Sequence, residues 1–140
     1  MLLNTFFSIS SVNEVHEQDQ PLTGTNYKVR VGVSINPDHT IFNGHFPGNP
    51  IIPGVCQIQM VTEILGELHH KKIRLISADN IKFLSMINPV MTDSYFYDLN
   101  CRVISDDEMA VNAFAYKDQI AFLKFKAIYT SADLNILSDG

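Results

Sequence analysis

Cysteine is scarce in this chain. Cys56 and Cys101 are its only two, and neither stands in a Cys-x-x-Cys or a Cys/His ligand spacing. That argues against a disulfide framework and against a zinc site, which suits a reducing cytoplasm. Positive charge is also short: ten Lys and Arg stand against fifteen Asp and Glu, for a formal net charge of −5. No Lys/Arg run exceeds two residues, so nucleic-acid binding is not expected. No apolar run approaches the ~18 residues of a membrane span. The apolar start Met1-Leu2-Leu3 and Phe6-Phe7 has no basic flank and no small-residue cleavage site. It therefore reads as a first strand over Leu3 to Ser10, not a signal peptide. Internal repeats, low-complexity tracts and metal, nucleotide or flavin motifs are missing too, and one domain over residues 1–140 is expected.

What the chain does have is concentrated between Phe42 and Val55. Three of its six prolines (Pro47, Pro50, Pro53) and three of its seven glycines (Gly44, Gly48, Gly54) fall there, around His45. The prolines fix φ and forbid a regular helix or inner strand before Pro53. Pro53 suits a helix start, where a missing N–H costs nothing, and the apolar run from Val55 to Leu68 reads as that helix. A rigid loop thus carries an imidazole towards unpaired N–H groups and a positive dipole end. Proton transfer beside a carbonyl is one use of such a pair. A histidine that merely bonds its own loop is the other.

Around this stretch the pattern is strands. Tyr27, Val29, Val31, Val33 and Ile35 alternate on one face, and Asn36-Pro37-Asp38-His39 closes the strand, with His39 read as turn chemistry. Glu14 to Thr25 is a polar surface connection. On the helix, Ile58, Met60, Val61, Ile64, Leu65 and Leu68 form an apolar arc, opposite Gln59, Thr62, Glu63, Gly66 and Glu67. Ile73 to Leu84 is a long strand broken near Ala78-Asp79-Asn80, and Ile87-Asn88-Pro89 is a turn. Tyr95 to Val103 alternates, Ser105 to Glu108 is a hairpin loop, and Val111–Lys117 and Ile120–Tyr129 flank a tight turn. The tail from Ser131 looks poorly anchored. One helix within such a meander is an α+β pattern: a curved antiparallel sheet around a central helix.

His45-Phe46-Pro47-Gly48-Asn49-Pro50-Ile51-Ile52-Pro53-Gly54-Val55 resembles the active-site signature of the β-hydroxyacyl-acyl carrier protein dehydratases (FabZ/FabA type). The likeness runs from Phe42 to about Leu65. Asn80 to Leu84 is similar to the family's strand after the helix, without its Arg-Pro and Pro-Gly-Asp continuation. The family's Pro-His-Arg-Tyr-Pro-like segment is missing.

The resemblance implies a hotdog fold and dehydration of a 3-hydroxyacyl group carried by acyl carrier protein. It also implies a cytoplasmic homo-oligomer built from dimers, with the site between two chains. His45 would be the base. The Gly54 N–H would receive charge growing on the thioester oxygen, with Val55 and Phe46 beside the substrate. No cofactor is implied, since phosphopantetheine arrives on the carrier. That carrier is acidic, so docking needs a basic patch; Lys71, Lys72 and Arg74 are the densest candidates, then Lys124 and Lys126.

The family's carboxylate is expected fourteen residues after the histidine, where this chain has Gln59; Glu63 follows one turn later. Gln cannot act as a general acid. Either Glu63 supplies the acid from a turn farther along, or it holds structure by bonding a loop, or the acid function is lost. Two alternatives to the dehydratase follow: a non-catalytic acyl-binding subunit and a hotdog thioesterase.

Overall fold

The computed structural model describes residues 1–15, 26–43 and 50–131. In chain order its elements are β1 (Phe7–Glu14), β2 (Asn26–Ile35), a 3-10 turn (Thr40–Phe42) and α1 (Gly54–His69). Then come β3 (Arg74–Phe83), β4 (Ser94–Val103), β5 (Glu108–Lys117) and β6 (Ile120–Thr130). The strands form one sheet in the order β1-β2-β4-β5-β6-β3, antiparallel throughout. Curved around α1, it is the hotdog fold.

Period-two alternation decides the two faces of the sheet. Val29, Val31 and Val33 of β2, Tyr95, Tyr97, Leu99 and Cys101 of β4, and Val111, Ala113 and Ala115 of β5 are buried inward. Leu123, Phe125, Ala127 and Tyr129 of β6 join them. Against this surface α1 lays Met60, Val61, Ile64 and Leu65, all fully buried. Each such side chain contributes roughly 1.5–3 kcal/mol by leaving water. Two phenols inside this core satisfy each other: the Tyr95 and Tyr97 hydroxyls lie 2.9 Å apart, and Tyr97 also donates to the Gln57 carbonyl at 3.3 Å. Burial pushes both phenol pKa values up, so both stay neutral hydroxyls.

The helix begins where the proline pattern sets it. Pro53 is the N-cap in extended conformation (φ −61°, ψ 143°), and His70 ends the helix left-handed at φ 51°. The break expected near residues 78–80 is a bulge: the β3–β6 register shifts between Asp79 and Lys82, and Asn80 takes φ 54°. Asp118, at φ 51°, makes the tight β5–β6 turn.

One element differs from the sequence reading. The first strand starts at Phe7, not Leu3, and continues to Glu14. Residues 2–6 instead form a turn, with the Leu2 carbonyl accepting from Phe6 N at 2.8 Å and Asn4 at φ 68°. The cause is tertiary: the Leu2 and Leu3 N–H groups are drawn to a carboxylate on α1, as detailed below. The connection expected over Glu14 to Thr25 and the tail from Ser131 lie for the most part outside the described residues. Among the described residues no helix is long and apolar enough to cross a membrane.

Candidate active site

The start of α1 is open. The Pro53 carbonyl accepts from Cys56 N at 3.0 Å and Gln57 N at 3.2 Å, whereas the N–H groups of Gly54 and Val55 meet no acceptor among the described residues. Two donors at the positive end of a helix are what a developing oxyanion needs. The backbone leading in is pinned by Ile52 N donating to Ile87 O at 2.9 Å. Val55 is 76% exposed, and the Phe83 ring at the end of β3 lies directly on Gly54. A Cβ at residue 54 would stand 2.5 Å from two atoms of that ring, so only glycine allows the contact. Phe83 therefore belongs to the site, and the sequence did not single it out: the contact joins residues 29 positions apart.

One turn along the helix, Gln59 and Glu63 meet as four-residue spacing requires: Gln59 Nε2 donates to Glu63 Oε2 at 3.0 Å. Gln59 is exposed, but Glu63 is buried. Its carboxylate accepts from Leu2 N at 2.8 and 3.0 Å, one bond to each oxygen, and from Leu3 N at 2.8 Å. Two backbone donors and one amide surround it, three N–H groups that each need an acceptor. Glu63 thus fastens the segment before β1 onto the helix.

That segment reaches the 3-10 turn over Thr40–Phe42 from the other side. The Phe6 ring packs edge-on against His39 with centroids 5.4 Å apart, and against Phe42 at 5.5 Å. Asn36 N donates to Phe6 O at 2.8 Å. His39 does turn chemistry, its Nδ1 accepting from Ile41 N at 3.0 Å. Phe42, buried, is followed by residues 44–49, so His45 and Phe46 lie outside the described residues.

Other reactive groups are quiet. Burial pushes the Cys56 thiol up, and the Cys101 thiol up to about 11, so neither is a thiolate nucleophile near neutral pH. Among the described residues no cluster of His, Cys, Asp and Glu is arranged to hold a metal. The basic residues singled out from the sequence as docking candidates split between two places. Lys71, Lys72 and Arg74 follow the C-terminal end of α1, roughly 24 Å by helical rise from its start. Lys124 and Lys126 project from the outer face of the sheet, on β6.

The family model of ApeI-like dehydratases (ApeI dehydratase) matches residues 19–121. A 3-hydroxyacyl-[acyl-carrier-protein] dehydratase FabZ from Fusobacterium nucleatum is 26% identical over 134 residues, covering 92% of this chain and 89% of its own length. In structure, the dehydratase heterocomplex ApeI:P from Xenorhabdus doucetiae superposes with a TM-score of 0.59 at 21% identity, over 86% of this chain and 98% of that one. A protein from Lactococcus lactis described as a thioesterase superposes with a TM-score of 0.61 at 7% identity, over 87% and 90%. At those identities the two structures speak for the fold alone.

Proposed function

This chain belongs to the ApeI-like dehydratase family, and on that premise we propose that it dehydrates 3-hydroxyacyl groups on acyl carrier protein to the 2-enoyl product. The observation that carries this reading is the start of α1, where the N–H groups of Gly54 and Val55, one turn from Gln59, meet no acceptor among the described residues. His45 acts as the imidazole base that removes the C2 proton. The charge that grows on the thioester oxygen goes to the Gly54 and Val55 N–H groups, a donor of this kind being worth ~2.7–4 kcal/mol. Phe46 and Val55 line the acyl chain.

The proton His45 took from C2 is relayed through a water held by Gln59 to the departing C3 hydroxyl, which leaves as water and returns His45 to its starting form, and Glu63 holds Gln59. What supports this over direct protonation by Glu63 is that its carboxylate already accepts from Leu2, Leu3 and Gln59. Glu63 is then a positioning residue.

The working unit is a cytoplasmic homo-oligomer built from dimers. Around the helix start Val55, Phe83 and Met86 are 76%, 56% and 77% exposed, and the β3 edge beside them carries Ile76 and Ile81 at 50% and 40%. A second copy covering this surface would remove apolar area and unpaired strand edge from water together. A non-catalytic acyl-binding subunit is the second reading, favoured by Gln59 standing where the family has its acid.

Incubating the purified protein with 3-hydroxyacyl carrier protein, followed by mass spectrometry, separates the readings. Loss of one water supports dehydration and release of free acid a thioesterase. No change supports the subunit.

A further inference from the structure

The outer face of the sheet gathers charge that the sequence scatters. Strand register places Lys28, Asn100, Asn112, Lys126 and Asp79 side by side across β2, β4, β5, β6 and β3. The next row is Arg30, Asp98, Phe114, Lys124 and Lys82, ending on β3. Half of the chain's ten cations therefore stand in two neighbouring rows of a protein whose net charge is −5. Between them lies a hollow of about 510 Å³ lined by Lys28, Lys82, Lys124, Lys126, Asn100 and Asn112.

Asp79 faces Lys126 across the β3–β6 ladder, and the carboxylate that lines the hollow, Asp98, does not neutralise Lys28, Lys82 or Lys124. Asp98 is taken by Arg30 through two contacts of 2.9 and 3.3 Å, and it also accepts from the Tyr116 hydroxyl at 3.0 Å. Lys82 and Lys124 are direct partners across the β3–β6 ladder, an opposition of like charges that disfavours the isolated sheet. The Lys124 ammonium leans over the Phe114 ring at 5.2 Å. An anionic occupant would relieve that repulsion.

Breadth and position narrow the occupant. From β2 to β3 the rows span four inter-strand spacings, roughly 19 Å, which suits a protein surface better than a small anion. Lys82 directly precedes Phe83, whose ring lies on Gly54 at the helix start. The hollow therefore borders the candidate active site, whereas Lys71 and Lys72 follow the far end of α1.

We propose that this outer-sheet face docks an acidic protein surface, that of the carrier delivering the acyl group; the identity of the carrier rests on the dehydratase reading, the acidity of the partner does not. Two double variants test it, Lys82→Glu with Lys124→Glu, and Lys28→Glu with Lys126→Glu; Lys71→Glu with Lys72→Glu is the control. Binding of acyl carrier protein is read by fluorescence anisotropy at low and at physiological salt, and turnover is read on the carrier-bound substrate and on a small thioester mimic.

The outer-face variants are expected to weaken carrier binding, and kcat/KM on the carrier substrate, about tenfold or more, with the largest loss at low salt. The mimic should be turned over as by the wild type, and the control should match it throughout. Wild-type binding by the outer-face variants overturns the proposal, as does an equal loss on both substrates. So does a control that loses binding as much. If the wild type binds carrier through these lysines but dehydrates nothing, the dock stands and the dehydratase reading falls. Retention of single-stranded RNA instead of carrier, or loss of self-association alone in the variants, would assign the face to another occupant and overturn the proposal.

Discussion

Replacing Glu63 with Gln separates an anchoring carboxylate from a catalytic acid. In the folded chain one oxygen accepts from Leu2 N and Leu3 N at 2.8 Å each, and the other from Leu2 N and Gln59 Nε2 at 3.0 Å each. The substitution turns one acceptor oxygen into an amide donor. Gln59 can rotate its own amide to present oxygen, but the backbone N–H of Leu2 cannot, and the charge that strengthened the other bonds is lost. A hydrogen bond to a charged group is worth about 1.5–3 kcal/mol, so a net loss of about 2–3 kcal/mol follows once Gln59 adapts. For a chain of this length that lowers Tm by roughly 6–10 °C. Amide hydrogen exchange should quicken at Leu2 and Leu3. Because residues 2–6 back the turn leading to His45, kcat should fall about 10–100-fold through misplacement of the base and of Gln59. Leu2→Pro is the companion variant, since it removes an N–H that touches both oxygens and leaves the carboxylate in place. It should lower kcat in parallel with Glu63→Gln. Full activity in Leu2→Pro, with abolished activity and an unchanged Tm in Glu63→Gln, would make Glu63 the acid and refute the anchoring role.

His45→Ala should abolish dehydration while leaving Tm and oligomer size unchanged; a variant that instead unfolds would return His45 to a loop-bonding role. Sedimentation at micromolar concentration should show at least a dimer, and a monomer there would remove the shared site. The third expectation concerns pH. His69 is hydrogen-bonded to the Tyr27 hydroxyl, and burial first, then Lys71 and His70, lower its pKa from 6.5. Below that value the unfolded chain binds a proton that the folded chain resists. This contribution to stability is therefore present above about pH 6.5 and is lost as pH falls towards the lowered folded pKa. Denaturant midpoints compared at pH 7.5 and pH 5 should show the loss, and His69→Asn should shrink it. An identical pH dependence in His69→Asn would assign the effect to other groups.

Local pattern carried a large part of this molecule. Alternation at period two marked the buried faces of β2 and β4, and Pro53 with the apolar run after it marked where α1 begins. These are short-range consequences of backbone geometry and of which side of an element meets water. The Gln59–Glu63 pair was legible for the same reason, being one helical turn apart. Its partners were not. The donors to Glu63 stand 60 and 61 positions earlier in the chain, and they turned an expected strand start into a turn. Phe83 on Gly54, and the lysines of β2, β3 and β6 around one hollow, likewise depend on which strands become neighbours. Periodicity tells a strand which face to bury. It does not tell the strand whom to pair with, and here the pairing set the surroundings of the carboxylate and of the lysines.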